Sequence, residues 1–301
     1  MITVSSAGRP AGRRRGGSVR CGPWSSDRRD GRRGPGRRFT DGSTATGDLL
    51  IGADGLNSTV RESIAPRTRP CFAGESVFYG YAGEAPLVAE TGRFTMVRGG
   101  AAAFGCAVSP GGETYWFARV AGEPLSADDI THGTPGHWRG LLLPLLRGDA
   151  TPAADVVAAT TDRIMVTNAT EIPTGTPWHH GRTLIIGDAA HAASPATGQG
   201  ASMALEDAVV LAKSLRDAPD TESALSLYEA LRRPRVEHNI TTSGKISRGV
   251  HTPSGTGRRA PAPRPGDSDL LQHLEWDIDL STVAEGSSSV AAAGDGGRDA
   301  G

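Results

Sequence analysis

Lysine is almost absent from this chain. Only Lys213 and Lys245 stand among its 32 basic residues, so nearly every positive charge is an arginine. That skew reads as coding composition rather than as function. Cysteine is scarce too, with Cys21, Cys71 and Cys106 forming an odd, widely spaced set. Such a set offers neither a disulfide framework nor metal-ligand spacing, and it fits reduced thiols in a cytoplasm. His179, His180 and His191 have no recognised metal spacing, and His132 and His137 read as loop residues, so no metal is expected. No apolar run reaches the roughly 18 to 20 residues that cross a bilayer, so no membrane partner is expected. The basic N-terminus lacks the apolar stretch of a secretory signal.

Glycine and proline are plentiful, at 41 and 20 residues, and they crowd the ends. Residues 1–38 hold 8 Gly, 3 Pro and 11 Arg against only Asp27 and Asp30, and residues 249–301 hold 9 Gly and 4 Pro. Neither end shows apolar periodicity, so both are expected to be disordered, with a folded body over 39–248. The whole chain carries a net charge of -1, so a strongly basic leader implies an acidic body. An acidic body argues against a nucleic-acid-binding fold, and the single Trp24 gives the Arg-Gly leader little to stack on a base. Nucleic acid is therefore not expected as a partner.

From Phe39 the pattern changes. A turn at Asp41-Gly42 leads into Asp48 to Asp54, a short and nearly all-apolar strand of the kind buried on both faces of a parallel sheet. After Gly55, Asn57, Ser58 and Thr59 are candidate helix N-caps, and Thr59 with Glu62 has capping-box spacing. Residues 71 to 120 are rich in strand formers and hold nine of the chain's aromatics, from Phe72 to Phe117. They predict an antiparallel sheet with a hairpin turn at Ser109 to Gly112, and an aromatic face that is either core or the wall of an apolar ligand pocket. "HWRGLLLPLLRGD" and "AADVVAATTDR" predict short helices, and "RIMVTNATEIP" another strand. "TESALSLYEALRRPRVEHNITTSGKIS" predicts a long helical region with a kink or break at Pro234. In the tail, "DLLQHLEWDIDL" could form a brief amphipathic helix.

The most informative stretch is "RTLIIGDAAHAASPATGQGASMALEDAVVLAKSL", residues 182–215. Arg182 to Gly187 reads as a second buried strand, which puts Asp188 at its carboxyl end, where open α/β sheets bind ligands. A carboxylate there can accept hydrogen bonds from sugar or ribityl hydroxyls. Leu205, Ala208, Val209, Ala212 and Leu215 recur at helical spacing and predict the face that packs on the sheet. The helix begins near Gly198, Gln199, Gly200 and Ala201, where small side chains let a ligand approach unpaired N–H donors at the positive end of the dipole. A flavin dinucleotide carries both polyol hydroxyls and an edge that gathers negative charge on reduction. The alternative is that these glycines serve tight packing alone.

"GDLLIGADGLNSTVR" and "GRTLIIGDAAHAASPATGQGASMALEDA" resemble the second and third flavin-binding motifs of the single-component FAD-dependent aromatic hydroxylases, typified by para-hydroxybenzoate and salicylate hydroxylases. The resemblance runs from about Phe39 to Arg248 and takes in "WHHGR" and "YEALRRPR". It implies that Asp188 binds the FAD ribityl chain, with Gly187 before it also cofactor-binding, and that Pro195 lies beside the flavin ring. It further implies that Gly198, Gln199, Gly200 and Ala201 meet the pyrimidine edge, and that Asp54 and Gly55 lie near the pyrophosphate. The activity it implies is monooxygenation of an aromatic or polycyclic small molecule, with NAD(P)H as reductant. No catalytic side chain is named, because the cofactor carries the chemistry, and His191 reads as structural.

The family also has a glycine fingerprint, G-x-G-x-x-G, in a βαβ unit that holds the FAD diphosphate. "GRRRGG" has other spacing and follows no apolar strand, and 38 residues leave little room for such a unit. The expected fold class is therefore α/β, a partial FAD-binding (Rossmann-like) domain over 39–67 and 166–248 with an antiparallel β-sheet substrate domain over 68–165. Two functional readings follow. One is an FAD-dependent monooxygenase, completed by another chain or by a homo-oligomer. The other is a noncatalytic remnant with weakened FAD binding.

Overall fold

The structure is a computed structural model that describes residues 2–4, 36–38, 44–83, 91–149, 151–249, 267 and 269–282. The expected Asp41-Gly42 turn, Cys21, Trp24 and most of the leader lie outside these residues. In chain order the first elements are β1 (Ile2–Val4), β2 (Gly36–Arg38), β3 (Thr44–Thr46), β4 (Leu50–Gly52) and α1 (Thr59–Ile64). There follow β5 (Cys71–Ala82), β6 (Phe94–Arg98), β7 (Ala103–Val108), β8 (Thr114–Ala121), α2 (Ala127–His132), α3 (Pro135–Arg147), α4 (Ala153–Ala158) and β9 (Ile164–Glu171). The last are β10 (His179–His180), β11 (Thr183–Ile185), α5 (Asp188–His191), a 3-10 turn at Pro195–Thr197, α6 (Gly200–Asp217), α7 (Thr221–Ser247) and α8 (Leu270–Leu274).

The chain divides into two compact units, one from the described residues of 1–71, 171–243 and 253–301, the other from Phe72–Thr170 and the described residues of 244–252. In the first unit a four-stranded sheet runs β1-β4-β11-β10. β4 pairs in parallel with β1 and with β11, and the register sets Leu184 beside Ile51 and Ile185 beside Gly52. Leu50, Ile51, Leu184 and Ile185 are buried with Met203, Val210, Leu225, Tyr228, Val236 and Leu280 in one core. Each fully buried aliphatic side chain of this kind contributes about 1.5–3 kcal/mol. β1 and β2 fall within residues 1–38, and α8 falls in the tail stretch that could form a brief helix.

The second unit is an antiparallel sheet, order β6-β7-β8-β5-β9, built largely as the aromatic-rich sequence predicts. The hairpin turn closes where Ser109 N donates to Glu113 O at 2.8 Å, next to the Val108–Thr114 pair. One face of the sheet buries Phe78, Phe104 and Trp116 against Trp138, Leu142 and Leu146 of α3. Trp116 is fully buried, and its indole donates to Thr160 Oγ1 at 2.8 Å, so the polar edge of the ring costs little. The fold as a whole is α/β with a separate antiparallel sheet.

Three local expectations are corrected. His132 and His137 lie on α2 and α3 rather than in a loop, because Ser126 and Thr134 each cap a helix start between Leu125 and Trp138. Of the cap candidates Asn57, Ser58 and Thr59, Ser58 is the one that caps α1, its Oγ accepting from Arg61 N at 2.8 Å. α7 runs unbroken through Pro234. The largest correction concerns α6. Its buried face is Met203, Glu206, Asp207, Val210, Leu211, Lys213 and Ser214, whereas Leu205, from the expected apolar stripe, is 71% exposed. The charged residues turn inward because each finds buried partners, and the alanines of the outer stripe lose little by facing water.

Candidate functional site

The parallel β4–β11 pairing brings two distant motifs to one edge of the sheet. Beyond Gly52 the chain turns through Asp54 and Gly55 into α1, and beyond Ile185 it turns through Gly187 into α5. Ile186 N donates to Gly52 O at 2.9 Å, which keeps the two chains paired up to the turns. Arg61, almost wholly buried, then ties the turns together: Nη1 donates to Ala189 O at 2.9 Å and Nη2 to Leu56 O at 2.6 Å.

Asp54 acts locally. Its Oδ1 accepts from Ser58 Oγ at 2.5 Å, and its Oδ2 accepts from Thr59 N at 2.8 Å and Val60 N at 3.2 Å. The carboxylate thus neutralises the N-terminal donors of α1 and fixes the turn that carries Gly55, whose φ is 77°.

Asp188 is different. It is exposed at the carboxyl end of the strand, and no hydrogen bond to its carboxylate is found among the described residues. Pro195 opens the short 3-10 turn, Gly198 follows with φ 68°, and Gln199 is the N-cap of α6 with no side-chain hydrogen bond to the helix. Gly200 and Ala201 begin α6 exposed, so the first N–H groups of an 18-residue helix face outward without a capping side chain. A Cβ placed on Gly198 or Gly200 would meet nothing within 4 Å, so both stand beside open space. Free N–H donors at a helix start favour an electron-rich or anionic group.

Beneath these turns lies a charge network that the sequence reading missed. Asp207 is fully buried; its Oδ2 accepts from Gly187 N at 2.9 Å and meets His191 Nε2 at 2.5 Å, while Oδ1 accepts from Arg232 Nε at 2.9 Å. Burial alone would raise the Asp207 carboxyl, but His191, Arg232 and the Gly187 amide outweigh it and hold it below the ordinary carboxylate value. Glu206 is likewise held low, its burial outweighed by Arg235 and Arg232. His191 therefore orders the turn, as expected of it. The adjacent acids of α6 and the Arg232–Arg235 run of α7 offered a charge match that periodicity alone passed over.

In the second unit the sheet's other face forms a surface of its own. Strand alternation places Tyr79, Tyr81, Phe94, Met96, Tyr115 and Phe117 there, opposite the buried aromatics. Phe94 stacks on Phe117 at 6.0 Å and Tyr81 lies against Tyr115 at 5.4 Å. Gly105 admits this packing, since a Cβ there would fall 2.6 Å from the Phe117 ring and 2.9 Å from Met96 Sδ.

Over residues 26–243 the sequence matches the family described as FAD binding domain. The chain belongs to this family of FAD-binding domains. Aurachin C monooxygenase/isomerase of Stigmatella aurantiaca is 33% identical over 220 residues, covering 72% of this chain and 55% of the relative. 3-Amino-4-hydroxybenzoate 2-monooxygenase of Streptomyces cremeus is 32% identical over 249 residues, covering 79% of this chain and 59% of the relative. Klebsiella pneumoniae HpxO, solved complexed with FAD and uric acid, is similar with a TM-score of 0.65 and 26% identity, covering 92% of this chain and 66% of that one. The chain spans little more than half the length of these two curated relatives. The family's cofactor suits the residues of this FAD-binding domain: an exposed carboxylate with no hydrogen bond among the described residues, a helix start without a capping side chain and two glycines beside open space share one region of chain.

Proposed function

We propose that this chain is a flavoprotein monooxygenase that binds FAD and inserts one oxygen atom from O2 into an aromatic or similar apolar small molecule, with NAD(P)H as reductant. In that reaction one oxygen atom enters the substrate and the other leaves as water, with two electrons and a proton coming from NAD(P)H and a second proton from solvent. The single observation that carries the reading is the pairing of a free Asp188 carboxylate with the uncapped, glycine-lined start of α6 in an FAD-binding-domain family member.

Bound FAD would supply the redox chemistry. The protein's part is to bind and orient. Asp188 would accept hydroxyl hydrogen bonds from the ribityl chain, and Pro195 would stand on the ring side. Gln199, Gly200 and Ala201 would give their N–H groups to the pyrimidine edge, where the helix dipole favours the reduced form, and Gly198, whose own N–H donates to Pro195 O at 2.9 Å, would let that edge approach without a side chain in the way. Gly55, positioned by Asp54, serves the pyrophosphate side. The aromatic surface of Tyr79, Phe94, Tyr115 and Phe117 offers flat contact to a planar ring. Burial, the neighbouring Tyr115 and Glu75 raise the Tyr79 phenol, which keeps it a neutral hydrogen-bond donor. A cytoplasmic setting, where NAD(P)H is at hand, completes the reading.

The test is direct. Purified protein titrated with FAD should shift and saturate the flavin spectrum at one equivalent, and Asp188→Ala should weaken that binding. Oxygen uptake and NAD(P)H oxidation should then rise on adding a phenolic or polycyclic aromatic compound. Absence of saturable FAD binding would end the proposal.

A further inference from the structure

We infer that the segment around α8 is a clasp on the Gly187–Asp188 turn: docked on α6, it sets the order of that turn through one continuous chain of ion pairs. Only the cofactor readout of this inference rests on the function proposed above.

The chain of contacts lies within one unit. Asp267 pairs with Arg235. Arg235 grips Glu206 with Nε and Nη2, at 2.9 and 3.0 Å. Glu206 meets Arg232 Nη1 at 2.7 Å, and Arg232 Nε donates to Asp207 at 2.9 Å. Asp207 then accepts the Gly187 amide at 2.9 Å. Every link alternates acid and base, and four of the five charges from Arg235 to Asp207 and Asp267 are at most 10% exposed.

A second set of contacts fastens the same segment. Lys213 is fully buried, and its ammonium donates to the carbonyls of Gln272 at 3.1 Å, His273 at 3.0 Å and Glu275. The Arg216 guanidinium lies 4.7 Å from the centre of the Trp276 ring and donates to Ile278 O at 3.1 Å. Asp217 accepts from Leu280 N at 2.9 Å, and Leu280 is fully buried. Apolar residues of similar volume could hold a segment in place without taking charges out of water. An ionic chain adds something packing does not, because each member polarises the next and the loss of one disturbs the rest. Asp207 is the positioning residue at its inner end, and it acts on Asp188 through the Gly187 amide it holds.

Amide hydrogen exchange of the full chain reads this without any ligand. Asp267→Asn, a change at a partly exposed position, and Lys213→Met should both release the amides of Leu270–Leu274, and both should speed Gly187 exchange by roughly tenfold, a typical coupling between sites. Linkage requires the reverse as well: FAD should protect the segment, and release of the segment should weaken FAD binding by the same factor. Faster exchange in the segment with unchanged exchange at Gly187 would overturn the inference, as would Asp267→Asn leaving both unchanged. If Lys213→Met fails to fold, Asp267→Asn decides alone. Should the unaltered protein not bind FAD, the proposed function fails while Gly187 exchange still decides the clasp.

Discussion

Arg61 Nη1 donates to Ala189 O at 2.9 Å across a sequence separation of 128 residues. The bond joins the turn after β4 to the turn after β11, and the Arg61–Leu56 bond completes it. Replacing the side chain leaves the buried Ala189 carbonyl and the partly buried Leu56 carbonyl short of a donor. Arg61→Met should therefore lower the unfolding free energy by about 2–4 kcal/mol, at roughly 1–3 kcal/mol per unsatisfied group. Urea denaturation followed by tryptophan fluorescence checks this, and a loss below about 0.5 kcal/mol would show that the bonds do not hold the turns.

Asp188 should behave in the opposite way. Its carboxylate is exposed and unengaged, so Asp188→Asn should change stability by no more than about 0.5 kcal/mol. Its effect belongs to the ligand, where loss of charge-assisted hydrogen bonds worth about 1.5–3 kcal/mol predicts FAD binding weaker by roughly ten- to a hundredfold. Flavin fluorescence titration of the two proteins measures it.

Acid should unfold the protein through Glu206 and Asp207. Both carboxyls are held below their ordinary values of 4.5 and 3.8. A depressed folded-state value means the unfolded chain takes up protons first as pH falls. Their contribution is fully present above pH 4.5 and is lost progressively as pH drops below 4.5 and then 3.8 toward the folded-state values. Stability should be flat from neutral pH to that point and then fall. Glu206→Gln should show a shallower fall than the unaltered protein in denaturation curves taken between the two regimes, and an equal slope would exclude Glu206.

Gly105 sets the shape of the aromatic surface. Gly105→Val should push Phe117 and Met96 from their places, since a Cβ alone already falls within 3 Å of each. The change should alter which aromatic compounds stimulate NAD(P)H oxidation while FAD affinity stays within about twofold, because Gly105 makes none of the contacts assigned to FAD. Parallel titrations and turnover assays separate the two effects.

Much of this arrangement was legible in the sequence because it rests on local signals. The apolar runs ending at Asp54 and Gly187, the glycines around Gly198 and the turn at Ser109 each carry their own stereochemical reason. What periodicity could not show was the inside of α6. Leu205 and Ala208 look like a core face until Glu206 and Asp207 are seen with Arg232, Arg235 and His191, and those partners lie on other elements. Pairing across the fold outweighed the local apolar pattern. The Asp54 contacts to Ser58 and Thr59 were out of reach for a similar reason: the sequence offered Ser58 and Thr59 as caps, and only the folded turn shows Asp54 bonding to them as well.

The in-register pairing of β4 with β11 also governs how the molecule comes into being. β4 leaves the ribosome long before β11 is synthesised, and Leu50 and Ile51 must wait for Leu184 and Ile185. Distant pairings of this kind form slowly and leave apolar edges open to wrong partners in the interval. Newly made chains should therefore depend on chaperones until residue 185 has emerged, and flavin uptake would mark the moment at which the two halves of the edge finally meet.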